Sequence, residues 1–329
     1  MLCIHNTSNE PYFNQATEEY LLKNFEEDIF MLWQNNNAII VGKHQNTLAE
    51  INLDTVNEKQ IKVVRRLTGG GAVFHDMGNL NFTFIMNYGE AAPEIDFKKY
   101  TRPIIAVMAE LGIKAEFSGR NDILIDGQKF SGNAEHIFHQ KRRVLHHGTL
   151  LFASEIADLS AALKVNPLKF EDKAVKSVRS RVTNISSHLK TPISVEEFRE
   201  MVMNHIVNIY KDATPYVLNG EDKIAIQNLA NEKYSQWHWN YGYSPKYAFQ
   251  RGIKTPGGHL EVHLDVDKGL IQAIKIYGDF FAKKEIDEVE AFLIGKEHRQ
   301  ESVLQALQSI HSSDYFNNIS EEELVSAFF

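Results

Sequence analysis

Arg65-Arg66-Leu67-Thr68-Gly69-Gly70-Gly71-Ala72-Val73-Phe74-His75-Asp76 sets three consecutive glycines between a basic pair and a His-Asp pair. Glycine takes positive φ readily and lets a backbone approach a ligand closely. The amide N–H groups of such a loop form an anion-binding concavity, to which the arginines add forked cationic donors and Thr68 a hydroxyl. The stretch reads either as a phosphate cradle or as a flexible hairpin tip between strands. It contains neither G-x-G-x-x-G opening a helix nor G-x-x-x-x-G-K-[ST], so no common nucleotide fingerprint accounts for it. Ordering loop glycines carries an entropy cost, which favours a site over a mere turn.

On either side, Ile61 to Val64 and Asn81 to Met86 read as strands, which puts the glycines at a strand end. Further upstream, Met1 to His5 is a short strand. Asn14 to Phe25 reads as a helix with an apolar stripe of Ala16, Tyr20, Leu21 and Leu22. Phe30 to Trp33 and Ala38 to Gly42 read as strands joined by the polar run Gln34 to Asn37 as a hairpin loop. Downstream, Phe97 to Leu111 reads as a helix ending at Gly112, a C′ glycine.

Asp126-Gly127 between Asp122-Ile123-Leu124-Ile125 and Gln128-Lys129-Phe130-Ser131 is a strong hairpin signal. A two-residue turn sets Ile125 opposite Gln128, Leu124 opposite Lys129 and Asp122 opposite Ser131, with Lys129, Ser131, Leu124 and Asp122 on one face. Lys129 is then either a positioned cation or a solvated strand lysine. Val144 to Phe152 is largely strand, so adjacent His146 and His147 point to opposite faces, one of them inward. Regular geometry forbids both from ligating one ion, and no further zinc-ligand spacing is present.

The basic run Lys173 to Val182 reads either as a flap over a phosphate or as a solvated surface. Ser194-Val195-Glu196-Glu197 is a capping box for a helix to about Tyr210, followed by a helix from about Gly220 to Tyr234. Trp237 to Pro245, rich in aromatics, reads as the anchor of a linker. The pattern resets near Tyr247. Strands His259 to Val266 and Leu270 to Tyr277, with helices near 284–294, 299–309 and from Ser320, make a small α+β module. Two domains follow, 1–245 and 246–329.

The chain has 329 residues, 43% of them hydrophobic, and a formal charge of −8, a balance that suits a soluble protein and disfavours a broad nucleic-acid footprint. Cys3 is the single cysteine, which excludes internal disulfides and cysteine-rich metal sites. In its strand-like surroundings it reads as a small buried hydrophobe rather than a nucleophile. Met1-Leu2-Cys3-Ile4-His5 lacks a basic n-region and an apolar h-region, and no run reaches the ~18 apolar residues of a membrane span. The expectation is a cytoplasmic protein.

Together the glycine stretch with Gly78-Asn79, Gly119-Arg120-Asn121-Asp122, Lys129-Phe130-Ser131-Gly132, His146-His147-Gly148-Thr149-Leu150 and Ser177 to Asn184 resemble the lipoate–protein ligases. The match runs from about Asn9 through the C-terminal module. The resemblance implies an α+β fold with mixed sheets, its large domain of the biotin/lipoate ligase type, related to class II aminoacyl-tRNA synthetases. A small α+β accessory domain would follow. It further implies a monomer and a two-step reaction. Lipoate and ATP give lipoyl-AMP and pyrophosphate, and the lipoyl group then passes to a lysine of an acceptor. Acceptors would be lipoyl domains of 2-oxoacid dehydrogenase E2 subunits or the glycine-cleavage H protein.

The resemblance assigns Lys129 as the central catalytic lysine, contacting lipoate and phosphate. It places Arg66, Gly71, Ala72, Val73 and Phe74 at the nucleotide, with Asn121 and Asp122 near the adenylate and Asp122 near Mg²⁺. Ser177 and Val182 belong to a loop closing over the adenylate. Trp33, Arg66, Thr68, Gly70, His75 and His147 would join Lys129 around lipoate. Two departures stand out: His136 occupies a position where some relatives carry Arg, and Thr68 stands for a frequent Ser. Related transferases carry the acyl group on a cysteine, a route that Cys3, outside every motif, does not fit. Lipoyl relay between carrier proteins and a non-catalytic binding role are the alternatives, and biotin ligation suits the tunnel residues less well.

Overall fold

The computed structural model describes residues 1–329 except 91–95, 120, 158–161, 164–169, 173–181 and 283. Two compact units form, each from three chain segments. Met1–Lys43, Thr55–Leu163 and Ser177–Gln236 make the first, and His44–Asp54, Lys164–Lys176 and Trp237–Phe329 the second. In chain order the strands begin with β1 (Leu2–His5), β2 (Ile29–Trp33), β3 (Ala38–Val41), β4 (Lys62–Arg65), β5 (Val73–His75) and β6 (Asn79–Asn87). There follow β7 (Ala115–Ser118), β8 (Asp122–Ile125), β9 (Gln128–Phe138), β10 (Arg143–Leu151), β11 (Phe170–Asp172) and β12 (Thr214–Tyr216).

The first unit carries an eight-stranded sheet of order β12-β1-β2-β6-β10-β9-β8-β7 and a three-stranded sheet of order β4-β3-β5. β1 runs parallel to β2 and β12, and the remaining neighbours in the large sheet are antiparallel. Alternation along β6 separates two environments. Leu80, Phe82 and Phe84 enter an apolar core with Cys3, Phe30 and Leu32, shared with Ile104 and Val107 of helix Phe97–Glu110 and Phe198 and Val202 of helix Val195–Ile209. Asn79, Asn81 and Thr83 lie on the opposite face and are also buried.

Helix Pro11–Asn24 covers part of that second face. It begins three residues ahead of the expected Asn14, because proline at the first position sacrifices no intrahelical bond and the Glu10 carboxylate caps Phe13 N at 2.8 Å. Ala16, Leu21 and Leu22 are buried as expected, but so are Asn14, Thr17 and Glu18. The expected hairpin between β2 and β3 does not form. Asn14 Nδ2 donates to Gln34 O at 2.7 Å and to Asn35 Oδ1 at 2.9 Å, and β3 enters the small sheet, parallel to β4 and antiparallel to β5. Satisfying a buried asparagine fixes the connecting run in a shape that no tight turn allows.

The Asp126-Gly127 hairpin is present, with positive φ at both residues (48° and 74°), as a type I′ turn demands. A bulge after Leu124↔Lys129 changes its register: Ser131 pairs with Ile123 and Asp122 with Gly132, not with each other. The extra residue, Phe130, is fully buried in the apolar core, and that anchorage pulls the register over. His146 and His147 do take opposite faces, yet both are buried, because the sheet is covered on each side.

In the second unit β13 (Tyr247–Thr255), β14 (Gly258–Asp267) and β15 (Leu270–Gly278) form, with β11, an antiparallel sheet of order β11-β13-β14-β15. Helices Ile286–Leu293, Gln300–Ser309 and Glu321–Ala327 complete it, the last opened by the expected Ser320 capping box. β13, with Arg251, Gly252 and Lys254 in its run, has too weak an alternation to be read from sequence. Trp237 stacks on Tyr241 at 6.1 Å and packs where a Cβ on Gly269 would lie, so the aromatic segment does anchor. No described helix is long and apolar enough to cross a membrane.

His298 lies at the centre of this unit's core, with Tyr247 Oη 2.7 Å from Nδ1, Phe328 O accepting from Nε2 at 2.6 Å and the Phe329 ring stacked at 4.6 Å. Burial pushes its imidazole down from 6.5 to about 4. Between those values the unfolded chain binds a proton that the folded unit does not, so stability rises with pH there. The unit should therefore lose about 3 kcal/mol from this residue as pH falls from about 6.5 to about 4. Urea titrations followed by fluorescence of Trp237 and Trp239 will show the slope flattening in His298→Gln; an unchanged slope removes His298 as its cause.

Candidate active site

The glycine loop leaves β4 and returns as β5, at the edge of the buried polar face. Arg65 and Arg66 diverge, as successive residues of an extended chain must. Arg65 is fully buried and donates through Nη1 to Gly42 O and Lys43 O at 3.0 and 3.1 Å. Arg66 turns into the loop. Its Nη2 donates to Gly69 O and Gly71 O at 2.7 and 2.8 Å, its Nη1 to Ile40 O at 3.0 Å, and its Nε to Thr68 Oγ1 at 2.8 Å. Gly70 takes a φ of 91°, and a Cβ there would meet Arg66 Nη2 at 3.0 Å. The loop is wound round the guanidinium. Burial lowers that group only to about 10, with Glu18 opposing the shift, so it stays cationic at neutral pH.

From Arg66 a chain of hydrogen bonds crosses the site. Thr68 Oγ1 lies 2.8 Å from His147 Nε2, and His147 Nδ1 lies 2.9 Å from Glu18 Oε1. On the other side Trp33 Nε1 donates to Thr83 Oγ1 at 2.9 Å, and Thr83 Oγ1 donates to Glu18 Oε1 at 2.6 Å. Arginine and indole N–H groups only donate, whereas an ionised carboxylate only accepts, so both arms run one way and end at Glu18. That direction puts the His147 proton on Nδ1. His75 lies beside this chain, its ring 6.1 Å from Trp33 and its Nδ1 3.1 Å from Asn35 Nδ2. Burial, then Arg66 and His147, push it down to about 3, which leaves it neutral.

His75 Nε2, Asn79 Oδ1 and Asn81 Nδ2 are buried without a hydrogen-bond partner. Buried polar atoms rarely go unpaired, and Asn79 and Asn81 belong to the same sheet face as Thr83 and its partner His147. This buried face therefore presents polar as well as apolar groups.

A second cluster lies on the β8–β9 hairpin. Lys129 Nζ is 2.8 Å from Asp122 Oδ1, with 23% of the lysine side chain exposed. A Cβ on Gly132 would come within 2.8 Å of that ammonium, so the glycine gives the lysine room to lie across the strand. Asn121 Nδ2 donates to Asn133 O at 2.6 Å, and the Lys129 backbone bridges to Val182 and accepts from Thr183 N at 2.9 Å. Lys129 and Ala134, the residue paired with His147, share strand β9, which links the two clusters.

The family pattern described as the lipoyl protein ligase A/B catalytic domain matches residues 10–207, and that of the bacterial lipoate protein ligase C-terminus matches 244–328. The chain belongs to the lipoate–protein ligase family. The lipoate-protein ligase LplJ of Bacillus subtilis is 42% identical, the alignment covering 100% of both chains. Among solved structures, Plasmodium falciparum LipL1 in complex with lipoate has a TM-score of 0.64 at 27% identity, covering 99% of this chain and 97% of that one. A lipoate-protein ligase A bound with ATP shares the fold at a TM-score of 0.62 and 23% identity, over 74% of this chain and 98% of that one. The chain is therefore a ligase enzyme on a mixed α+β fold, which it shares with these lipoate ligases.

Set against the residues expected for this ligase family, Trp33, Arg66, Thr68 and His147 are joined in one hydrogen-bonded chain, with His75 beside it. Gly70, Gly71, Ala72, Val73 and Phe74 form the loop and the start of β5, and Asn121, Asp122, Lys129 and Val182 form the hairpin cluster. Ser177, Arg120 and all but Val182 of the basic segment lie outside the described residues. His136 is lowered to about 4 by burial, then by Lys43, so it brings no cation at neutral pH. Glu18 was missed by sequence reasoning. A glutamate one turn after Asn14 on a helix otherwise read by its apolar stripe was the available signal.

The Thr68 hydroxyl joins the arginine arm to His147, so Thr68→Ser should keep the chain and Thr68→Val should break it. Urea denaturation should show Thr68→Val destabilised by about 1–3 kcal/mol and Thr68→Ser by about 1 kcal/mol or less. Equal losses in the two variants would mean that packing, not the hydroxyl, matters.

Proposed function

We propose that the two clusters divide the reaction between them, the glycine loop and the Lys129 hairpin holding ATP and the lipoate carboxylate while the buried polar face holds the lipoyl chain. In the first step a lipoate carboxylate oxygen attacks the α-phosphorus of ATP and the bond to pyrophosphate breaks, giving lipoyl-AMP. In the second a lysine amine of the acceptor attacks the lipoyl carbonyl, AMP leaves, and the amine proton passes to solvent. Lys129 carries this reading: a largely shielded ammonium set by one carboxylate at 2.8 Å. Attack of one anion on another needs fixed positive charge where the pentavalent oxygens develop, and a preorganised cation is worth far more there than in water.

Loop amides of Gly71 to Phe74 would donate to the phosphates, and Arg66 supplies charge while keeping the loop in shape. Asp122 offers a hard oxygen. Magnesium takes one or two carboxylates and completes its shell with phosphates and water, which suits a single aspartate. Among the described residues no group of three or more His, Cys, Asp or Glu side chains could hold a metal, so the ion would arrive with the nucleotide. Thr68, His75, His147 and Trp33 would line the lipoyl chain. Ser177, with Val182, belongs to the segment expected to close over the adenylate. We assign residues 1–245 the catalytic role and 246–329 an accessory one, in a monomeric cytoplasmic protein. The acceptors would be lipoyl domains of 2-oxoacid dehydrogenase E2 subunits and the glycine-cleavage H protein.

Lys129→Ala should lower lipoate-dependent ATP–pyrophosphate exchange by at least about 100-fold with the fold intact by circular dichroism. Undiminished exchange would refute the assignment. Offering each acceptor with free lipoate and ATP, and in parallel with a lipoylated donor protein alone, separates ligation from lipoyl relay. Label appearing only in the donor-protein arm would overturn ligation from free lipoate.

A further inference from the structure

Behind the Lys129 hairpin, on the apolar side of the sheet, lies a polar group that the reaction above does not use. His146 Nδ1 is 2.9 Å from Glu135 Oε1, and the two side chains are 0% and 2% exposed. His146 Nε2 is 3.2 Å from Asn133 Oδ1. Asn133 in turn donates through Nδ2 to Asn121 O at 3.0 Å and to Ser131 Oγ at 3.3 Å, while its backbone N–H reaches Asn121 O at 2.9 Å. We propose that Asn133 is a positioning residue for adenylate formation, held by the buried His146–Glu135 pair so that it fixes the Asn121–Asp122 corner against which Lys129 is set. This rests on the reading of Lys129 as the central cation.

The chemistry of the groups gives the chain a direction. Two oxygens in front of Asn133 Nδ2 fix the amide's orientation, so Oδ1 is the acceptor and His146 Nε2 must carry a proton. His146 Nδ1 then either accepts from a protonated Glu135 or shares a second proton with its carboxylate. Nε2 donates in both cases. The ring cannot swing away: it stacks on Tyr100 at 4.8 Å and on Phe82 at 5.8 Å, with the edge of Phe97 at 5.7 Å.

Two glycines are shaped to this arrangement. Gly148 pairs with Asn133 across β9 and β10, and a Cβ on it would lie 2.3 Å from Asn133 Oδ1 and 2.5 Å from the Phe82 ring. A side chain there would evict the amide. Gly132, next to Asn133, is the residue over which Lys129 lies. Buried polar networks cost stability relative to well-packed apolar groups and are kept where a unique geometry is needed. Here the geometry lies one residue from Asp122, whose carboxylate is 2.8 Å from Lys129 Nζ.

Packing and positioning make opposite demands at His146. Phenylalanine keeps the ring stack and loses the donor, whereas glutamine loses the stack and keeps a donor. The test compares Glu135→Leu/His146→Phe, which removes the relay without stranding a buried carboxyl, with His146→Gln and Asn133→Asp. Each is measured by lipoate-dependent pyrophosphate exchange, by equilibrium binding of lipoate and by thermal melting. Positioning predicts a fall in kcat of about 10- to 100-fold in the double variant and in Asn133→Asp, with lipoate affinity changed less than about threefold. His146→Gln should keep at least about a third of the parent rate. The inference is overturned if the double variant keeps the parent kcat, or if all variants lose rate in step with melting temperature. Should the double variant not fold, Asn133→Asp decides alone, since it retains the acceptor toward His146 but turns an oxygen toward Asn121 O; full activity would sink the proposal. Lys129→Ala is run alongside: exchange surviving in that variant faults the reading of Lys129, whereas its loss with active relay variants faults only the relay.

Discussion

Glu18 is the acceptor on which the polar half of the first unit depends. It sits 2% exposed in a helix, and two arms of donors, Arg66 through Thr68 and His147, and Trp33 through Thr83, converge on it. No donor-only group in either arm can reverse the order, so the carboxylate sets the His147 tautomer and the directions of both threonine hydroxyls. Through Arg66 the same network shapes the glycine loop, whose carbonyls turn inward to the guanidinium. A loop intrinsically free to wander is held by a cation, and that cation is kept in register by a carboxylate several side chains away.

The large sheet has two unlike buried faces. Its apolar face packs Phe30, Leu32, Phe82 and Phe84 with two helices and supplies the hydrophobic stabilisation. Its polar face keeps Asn79 Oδ1, Asn81 Nδ2 and, from the small sheet, His75 Nε2 without partners. His146 breaks the division. It carries polar chemistry into the apolar side, where aromatic rings clamp it, and its bond to Asn133 reaches the hairpin that holds Lys129.

Much of the candidate site is legible in the sequence, because its residues are concentrated in short runs with unusual composition. Three glycines after two arginines, a lysine two residues after an Asp-Gly hairpin signal, and two adjacent histidines on a strand each announce a local constraint. Other features escaped. Glu18 and Asn14 occur in an ordinary helical run, and only packing against the polar face makes them buried. The bulge at Phe130 moved Ser131 away from Asp122, because core anchorage outweighed the register that the turn alone prescribes. The polar run after β2 looked like a hairpin loop, and Asn14 made it a passage between sheets. β13 lacked the clean alternation of β14 and β15, and its pairing with β14 supplied what its own pattern did not.

By itself the amino-acid sequence determined the local elements, the type I′ hairpin, the capping boxes at Ser194 and Ser320, the glycine loop at a strand end and the resemblance to lipoate–protein ligases. These follow from backbone sterics and short-range hydrogen bonding, which act within a few residues. Tertiary structure alone decided which polar residues would be buried together. Glu18 and His147 meet because a helix packs against a strand over a long sequence separation. Burial then decides protonation: it makes His75 neutral and leaves Arg66 charged, an outcome set by surroundings that no short run of sequence contains.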